Sequence, residues 1–145
     1  MPTFTFNRSQ LGAILTVEVG PSQAAARLGA PSSAAASPLR VQMLVDTGAQ
    51  ETVLDEDLVT GWGLVYTSAG WAATINGTKP IRSYEVRLTL GQLGTAQVLT
   101  IDPLTVGARP APFTGAPYRG LLGRDVLDQC HFAYDGPGHK FMVTF

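Results

Sequence analysis

The tripeptide Asp46-Thr47-Gly48 ends the apolar segment Val41 to Val45, and these residue types are suited to acid catalysis. Two aspartates held close together cannot both ionise, so such a pair shares one proton. The ionised member can take a proton from water while the protonated member hydrogen-bonds to the carbonyl group under attack. Asp46, Thr47 and Gly48 are therefore catalytic candidates. Alone they are weak evidence, because an Asp-Thr-Gly can also be an ordinary turn.

A second motif, Gly-Leu-Leu-Gly-Arg-Asp-Val-Leu, occupies residues 120–127. Two apolar residues precede Gly123, and the segment from Arg124 to Gln129 is suited to one or two helical turns. Asp125 is well placed at the start of this helix, where a carboxylate meets the positive end of the helix dipole. The motif therefore predicts a short strand, a glycine turn and a short helix.

Together the two motifs resemble the retropepsin family, the dimeric retroviral-type aspartic proteases. In that family an apolar strand runs into Asp-Thr/Ser-Gly-Ala, and an apolar-apolar-Gly-Arg-Asn/Asp motif with a short helix follows. Residues 44–49 and 52–54 match the first part, and residues 121–127 match the second. The resemblance covers roughly residues 41–145 and is greatest to bacterial members that end in a Tyr-Asp-Gly-Pro hairpin, as residues 134–137 do.

The resemblance implies an all-β fold, a retropepsin-like acid-protease barrel with a flap hairpin and one short C-terminal helix, functional as a homodimer. The chain has one Asp-Thr/Ser-Gly, so each subunit would supply one Asp46 to a dyad on a twofold axis. The implied function is an aspartic endopeptidase acting on polypeptides. The alternative is a catalytically silent retropepsin-like domain that binds peptides or dimerises. A β-barrel interaction module unrelated to proteases would require both motifs to be coincidence.

The resemblance also assigns roles to individual residues. The Thr47 hydroxyl would join a hydrogen-bond clasp between subunits, and the Gly48 carbonyl would face the substrate main chain. Leu122, Gly123, Arg124 and Asp125 would support the site. Arg124 is expected to pair with a carboxylate or backbone group near the Asp46 loop, or else to be a solvated charge. The retroviral pattern often has an acidic residue after the alanine, where this chain has Gln50, so its partner stays open.

A hairpin is predicted from Trp71 to Leu90, because Asn76-Gly77 supplies the positive φ angles of a tight reversal. Residues 70–82, around this reversal, are the expected flap, which would close over substrate and exclude water. Trp71 either lines a substrate pocket or is a core aromatic, and Tyr84 is expected in the core. The predicted substrate-binding residues are Ala49, Gln50, Trp71, Ala73, Thr74 and Ile75.

Ala49 bears on pH dependence. Pepsin-like enzymes commonly have Ser or Thr here, whose hydroxyl can donate to the ionised carboxylate, and alanine cannot. We therefore expect activity at mildly acidic or near-neutral pH. An optimum below about pH 3, near the lower pepsin value, would contradict this expectation.

The remaining chain is predicted to be mostly strands and turns. Residues 20–38 are small and proline-interrupted, which indicates a mobile loop insertion with a possible short helix around Ala24 to Leu28. Residues 103–117 contain four prolines and are expected to be a loop. The apolar C-terminus, with Phe141, Met142, Val143 and Phe145, is expected at the dimer interface or in the subunit core. Strands are expected at residues 14–19, 41–45, 52–54, 64–66, 97–101, 121–122, 132–134 and 140–145.

Composition limits the classes of function. The 145 residues suit one domain, 1–145, and a net charge of −1 gives no electrostatic footprint for nucleic acid or anionic lipid. One cysteine, Cys130, forms no internal disulfide, and no Cys/His group has metal-site spacing. No apolar run of about 18 residues predicts a membrane span. We therefore expect a soluble cytoplasmic protein that needs no metal or cofactor.

Overall fold

The structure is a computed structural model that describes residues 1–28 and 37–145. Within these residues it has ten strands and three short helices. In chain order they are β1 (Thr3–Asn7), β2 (Ile14–Pro21), α1 (Gln23–Arg27), β3 (Leu39–Val45), β4 (Val53–Asp55), α2 (Glu56–Gly61), β5 (Ser68–Thr74), β6 (Gly77–Gly91), β7 (Val98–Arg109), β8 (Gly120–Leu122), α3 (Arg124–Leu127), β9 (His131–Asp135) and β10 (Lys140–Thr144).

Six strands close into a mixed barrel. The larger sheet has the order β2-β3-β8-β4-β7-β6-β5, and an additional pairing of β2 with β6 closes it. The pairs β3–β8 and β4–β7 are parallel, whereas the other pairs are antiparallel. β5 pairs only with β6 and extends the sheet as one arm of a hairpin. The predicted all-β barrel is confirmed, with α1 and α2 as additional short helices.

Alternating apolar side chains fill the barrel. The inward residues of β2, for example Leu15, Val17 and Val19, are at most 2% exposed. On β6, Tyr84 and Val86 are equally buried, which confirms the expectation that Tyr84 belongs to the core. This alternation is what a half-buried strand requires, because successive side chains point to opposite faces.

A second sheet joins the two ends of the chain in the order β1-β10-β9. Phe141 and Val143 of β10 are at most 2% exposed and belong to the subunit's own core cluster. Of the two alternatives, the subunit core is therefore confirmed for Phe141 and Val143, and a dimer interface stays a prediction for the partly buried Met142 and Phe145. The pattern of β10 is regular, with Met142 half-buried on the opposite face. The Phe-rich β1, which pairs with β10 along its whole length, was not predicted.

The loop predicted at residues 103–117 begins later than expected, after Arg109. β7 continues through Arg109 and pairs with β6 despite Pro103. The register between β6 and β7 shifts between Val86 and Leu88, opposite this proline. Because proline has no backbone N–H, it is tolerated at such an irregularity. Only the part after Arg109 connects β7 to β8.

The first part of the predicted loop insertion at residues 20–38 consists of the end of β2 and helix α1. β2 extends through Pro21, and α1 follows with the Ser22 hydroxyl accepting a hydrogen bond from Ala25 N at 3.1 Å. The possible short helix is thus confirmed, and the rest of the predicted loop, residues 29–36, lies outside the described residues. Residues 64–66, predicted as a strand, have no strand conformation, and α2 precedes them. None of the helices in residues 1–28 and 37–145 has the length and apolarity to cross a membrane.

Candidate active site

Asp46 follows the last residue of β3, and β8 runs parallel beside it. Val45 is in register with Leu122, and Asp46 N donates a hydrogen bond to Leu122 O at 3.0 Å. The two sequence motifs therefore meet where these strands end. Ala49 N donates to Asp46 O at 3.2 Å, which turns the chain sharply after the aspartate.

The Asp46 carboxylate is held by the loop that carries it, residues 46–52 between β3 and β4, here called the Asp46 loop. Its Oδ1 accepts a hydrogen bond from Gly48 N at 2.9 Å. Asp46 is half-buried, whereas Thr47 and Gly48 are exposed beside it. A Cβ on residue 48 would lie 3.1 Å from Asp46 Oδ1, so glycine leaves the carboxylate room. The arrangement fixes one carboxylate, and the next two residues of the loop are exposed to solvent.

Thr52 and Asp125 anchor the Asp46 loop to α3. Asp125 Oδ2 accepts from Thr52 N at 2.9 Å, and Asp125 Oδ1 accepts from Thr52 Oγ1 at 2.7 Å and from Val126 N at 2.9 Å. Thr52 Oγ1 in turn accepts from Gly123 N at 3.1 Å. Hydrogen bonds to an ionised group are about twice as strong as those between neutral groups. Asp125 is therefore a positioning residue.

Backbone hydrogen bonds complete this anchor. Arg124 N donates to Ala49 O at 2.9 Å, and Asp125 N donates to Gln50 O at 3.2 Å. A Cβ on residue 123 would lie 2.5 Å from the carbonyl carbon of Glu51, so only glycine lets the two segments approach this closely. Thr52, fully buried, was not among the predicted site residues. Its sequence signal is its place in residues 52–54, which match the continuation of the first family motif.

Arg124 takes part through its backbone. Its side chain is exposed and makes no hydrogen bond or ion pair in the part of the chain that the structure describes. The expected contact with the Asp46 loop is therefore made by the backbone N–H of Arg124. The guanidinium group is instead a solvated charge, which was the alternative prediction. Leu122, by contrast, is 1% exposed and packs in the core below Asp46.

The β5–β6 hairpin places its tip at Ile75 and Asn76, one residue earlier than the Asn-Gly pattern suggested. Thr74 is in register with Gly77, whose φ is +91°, and Thr74 Oγ1 donates to Gly77 O at 2.6 Å. Ile75 is fully exposed and Trp71 is 73% exposed. Trp71 is therefore not a core residue of the subunit.

The two faces of this hairpin differ. Directly opposed residues share a face, so Trp71 lies with Pro80 and, two residues along β6, with Arg82. Ala72 and Thr74 lie on the other face. That face carries Ile81, whose side chain lies against Gly107 beside Val53. Since Val53 directly follows the Asp46 loop, this second face is the one next to the site.

Comparison with known sequences identifies the family of the chain. The sequence model of the family described as gag-polyprotein putative aspartyl protease matches residues 34–129, more than half of the chain. The chain belongs to the retropepsin-like aspartic proteases. A search of curated proteins found no match.

Two solved structures are similar to this retropepsin-like chain. One is a retropepsin-like aspartic protease from Rickettsia conorii, with 14% sequence identity, a TM-score of 0.58, and coverage of 99% of this chain and 90% of the other. The other is the retroviral protease-like domain of Ddi1 from Leishmania major, with 14% identity, a TM-score of 0.43, and coverage of 92% and 94%. At this identity the first shows a shared fold.

The base of the hairpin in this retropepsin-like subunit carries an ionic cluster that sequence analysis missed, in which Glu56 and Tyr84 are buried and Arg82 is exposed. Glu56 Oε1 accepts from Arg82 Nη1 and from Tyr84 Oη, both at 2.9 Å. Burial raises the pKa of the Tyr84 hydroxyl, and its hydrogen bond to the Glu56 carboxylate raises that pKa further. The Arg82 guanidinium also lies over the Tyr66 ring, 5.2 Å from its centroid. Within residues 1–28 and 37–145, no group of three or more His, Cys, Asp or Glu side chains could hold a metal ion.

Proposed function

We propose that the chain is an aspartic endopeptidase in which two subunits each contribute one Asp46. The observation that carries the proposal is the Asp46 carboxylate itself, held by Gly48 N at 2.9 Å on a loop that α3 anchors. Family membership supports the same chemistry.

The shared site follows from the surroundings of Asp46. No other carboxylate hydrogen-bonds to Asp46 within residues 1–28 and 37–145, and several of the other aspartates have different hydrogen-bond partners. Asp125 holds Thr52, Asp102 accepts from Gln23 N, and Asp135 accepts from Gly138 N. A second Asp46, brought by a twofold axis, would supply the missing acid.

In the proposed reaction the two Asp46 carboxylates share one proton. The ionised one accepts a proton from a water molecule, whose oxygen attacks the scissile carbonyl carbon. The protonated one donates to the carbonyl oxygen, and the amine leaves after it gains a proton. A substrate strand would lie between the Asp46 loops and the β5–β6 hairpins, with Ile75 at the tip and Ala72 and Thr74 on the near face.

The predicted contacts of Ala49, Gln50 and Ile75 with substrate remain part of this proposal. Trp71 and Ala73, which lie on the opposite face of the hairpin, would reach a substrate only around its edge. The expected activity at mildly acidic or near-neutral pH, argued from Ala49, also remains a prediction.

The test compares wild type with Asp46→Asn in a peptide-library digest over a range of pH and protein concentration. Asp46→Asn removes one ionisable oxygen per subunit with little change in shape, so cleavage should be abolished. The matched control is Asp128→Asn, an exposed aspartate at the end of α3, which should cleave like wild type. Equal cleavage by wild type and Asp46→Asn would refute the mechanism.

Dilution tests the shared site separately. Below the dimer dissociation constant, the rate per subunit should fall with protein concentration. A rate per subunit that does not change on dilution would refute the dyad between subunits. A dimer without any cleavage would instead favour the peptide-binding or dimerisation module.

A further inference from the structure

The β5–β6 hairpin carries a positively charged side chain on each of its two faces. Arg82 lies on the face of Trp71, and its Nη1 already donates to Glu56 Oε1 at 2.9 Å. Lys79 lies on the other face, in register with Ala72. Lys79 is exposed, and no ion pair within residues 1–28 and 37–145 involves it. The arginine is therefore committed to a carboxylate of the subunit, whereas the lysine is free to bind one from elsewhere.

The free lysine lies on the near face of the hairpin, which is the face next to the Asp46 loop. Side chains two residues apart on a strand share a face, so Lys79 lies with Ile81. The Ile81 side chain lies against Gly107, which is in register with Val53 directly after the Asp46 loop. The other residues on this face within 68–83 are all uncharged. Lys79 is thus the single charge that this part of the near face carries.

The surroundings of Lys79 leave room for a carboxylate. Its neighbour across the hairpin, Ala72, has only a methyl group as its side chain. The Asp46 loop has one carboxylate besides Asp46, that of the exposed Glu51, and Glu51 makes no ion pair with Lys79 within the described residues. A substrate strand beneath the hairpin would shield the lysine ammonium group from water, which is unfavourable for a charge without a counterion. An acidic side chain of the substrate would supply that counterion.

We propose that Lys79 selects polypeptide substrates that have an aspartate or glutamate close to the cleaved bond. The Lys79 ammonium group would donate to this carboxylate, while Ile81 and Val53 contact apolar parts of the substrate. The inference rests on the proposed function, because that function places the substrate between the hairpin and the Asp46 loop. Each subunit of the proposed dimer has one Lys79, so the preference would extend to both sides of the cleaved bond.

The first test compares pairs of peptides that differ only in Glu or Gln, at each position in turn on either side of a bond that wild type cleaves. The kcat/KM of wild type should be about fivefold higher for the best Glu peptide than for its Gln partner, the upper range for an exposed ion pair. Lys79→Gln should remove this difference, and Lys79→Glu should reverse it. The matched control is Lys140→Gln, which changes the other lysine of the chain, exposed on β10, and should keep the full difference.

The second test measures binding without cleavage, so that this inference and the proposed function can fail separately. Immobilised Asp46→Asn protein is mixed with a library of random peptides, and the retained peptides are sequenced. Aspartate and glutamate should be enriched among them about fivefold at the preferred position. The double variant Asp46→Asn/Lys79→Gln should show no such enrichment.

Equal kcat/KM for Glu and Gln peptides in wild type, or an undiminished difference in Lys79→Gln, would overturn the inference and leave the proposed function intact. If Lys79→Gln and Glu51→Gln slow the cleavage of Glu and Gln peptides alike, Lys79 pairs with the Asp46 loop, and the inference fails. Enrichment of acidic peptides that depends on Lys79, without cleavage by wild type, would refute the protease and keep Lys79 as the selecting residue. Without such enrichment and without cleavage, both would be refuted.

Discussion

Replacing Thr52 by valine tests whether the anchor between the Asp46 loop and α3 stabilises the subunit. Thr52 is fully buried, its hydroxyl donates to Asp125 Oδ1 at 2.7 Å, and it accepts from Gly123 N at 3.1 Å. Valine has nearly the same shape, so Thr52→Val removes both hydrogen bonds without opening a cavity. The backbone hydrogen bond from Thr52 N to Asp125 stays.

The expected loss follows from these two contacts. A hydrogen bond to a charged group contributes about 1.5–3 kcal/mol, and an N–H left buried without a partner costs about 1–3 kcal/mol. Because the two terms share one hydroxyl and are not additive, we expect a loss of about 3 kcal/mol in the free energy of unfolding. For a domain of this size, that corresponds to a decrease in Tm of roughly 10 °C.

The assay is urea unfolding at one fixed protein concentration, since subunit association would otherwise shift the midpoint. Thr52→Ser keeps the hydroxyl and should retain most of the stability. Thr105→Val makes the same replacement at an exposed position of β7 and should lie within about 0.5 kcal/mol of wild type. The reasoning fails if the free energy of unfolding of Thr52→Val is also within about 0.5 kcal/mol of wild type. It fails as well if Thr52→Ser loses as much free energy of unfolding as Thr52→Val does.

Three further predictions concern single residues. Gly123→Ala places a Cβ 2.5 Å from the Glu51 carbonyl carbon and should cost more than about 2 kcal/mol, measured by urea unfolding. The pKa of Tyr84 is higher in the folded protein than in the unfolded one. The contribution of Tyr84 to the free energy of unfolding is therefore complete below about pH 10 and is lost as pH rises through the folded pKa. Tyr84→Phe should lack this part of the decline in the free energy of unfolding at alkaline pH. Burial raises the pKa of the half-buried Cys130 thiol. At pH 8 the thiol of the folded protein should therefore react with a disulfide reagent at least tenfold more slowly than the thiol of protein unfolded in urea. Equal reaction rates in the folded and unfolded protein would contradict this prediction.

The barrel could be predicted from sequence wherever the pattern was local. Alternation on β6 and the apolar run before Asp46 are decided within a few residues, and both were correctly predicted. Only the first part of β7, at residues 97–101, was predicted. Its continuation was missed because a proline normally indicates a loop, and Pro103 is tolerated here through a register shift between β6 and β7. Where the side chains of Phe141 and Val143 are buried likewise depends on which strands flank β10, and no local sequence pattern reveals these strands.

In the candidate site as well, residues within a local pattern were predicted, and residues that depend on distant partners were not. Asp46 and Gly123 were found because each stands in a short motif. Thr52 was missed since its importance comes from a partner 73 residues away, Asp125. The Glu56 cluster was missed for a similar reason, because Arg82 and Tyr84 reach Glu56 from another strand.

The loop that carries Asp46 and the dyad that would use it depend on different contacts. The loop is held inside one subunit, where Thr52 N donates to the Asp125 carboxylate. The second carboxylate would come from a partner. Dilution below the dimer dissociation constant should therefore abolish cleavage while the Thr52 amide stays protected from hydrogen exchange. If protection at Thr52 falls in step with cleavage, the loop takes its shape only in the dimer, and the subunit is not the preformed half-site that its hydrogen bonds imply.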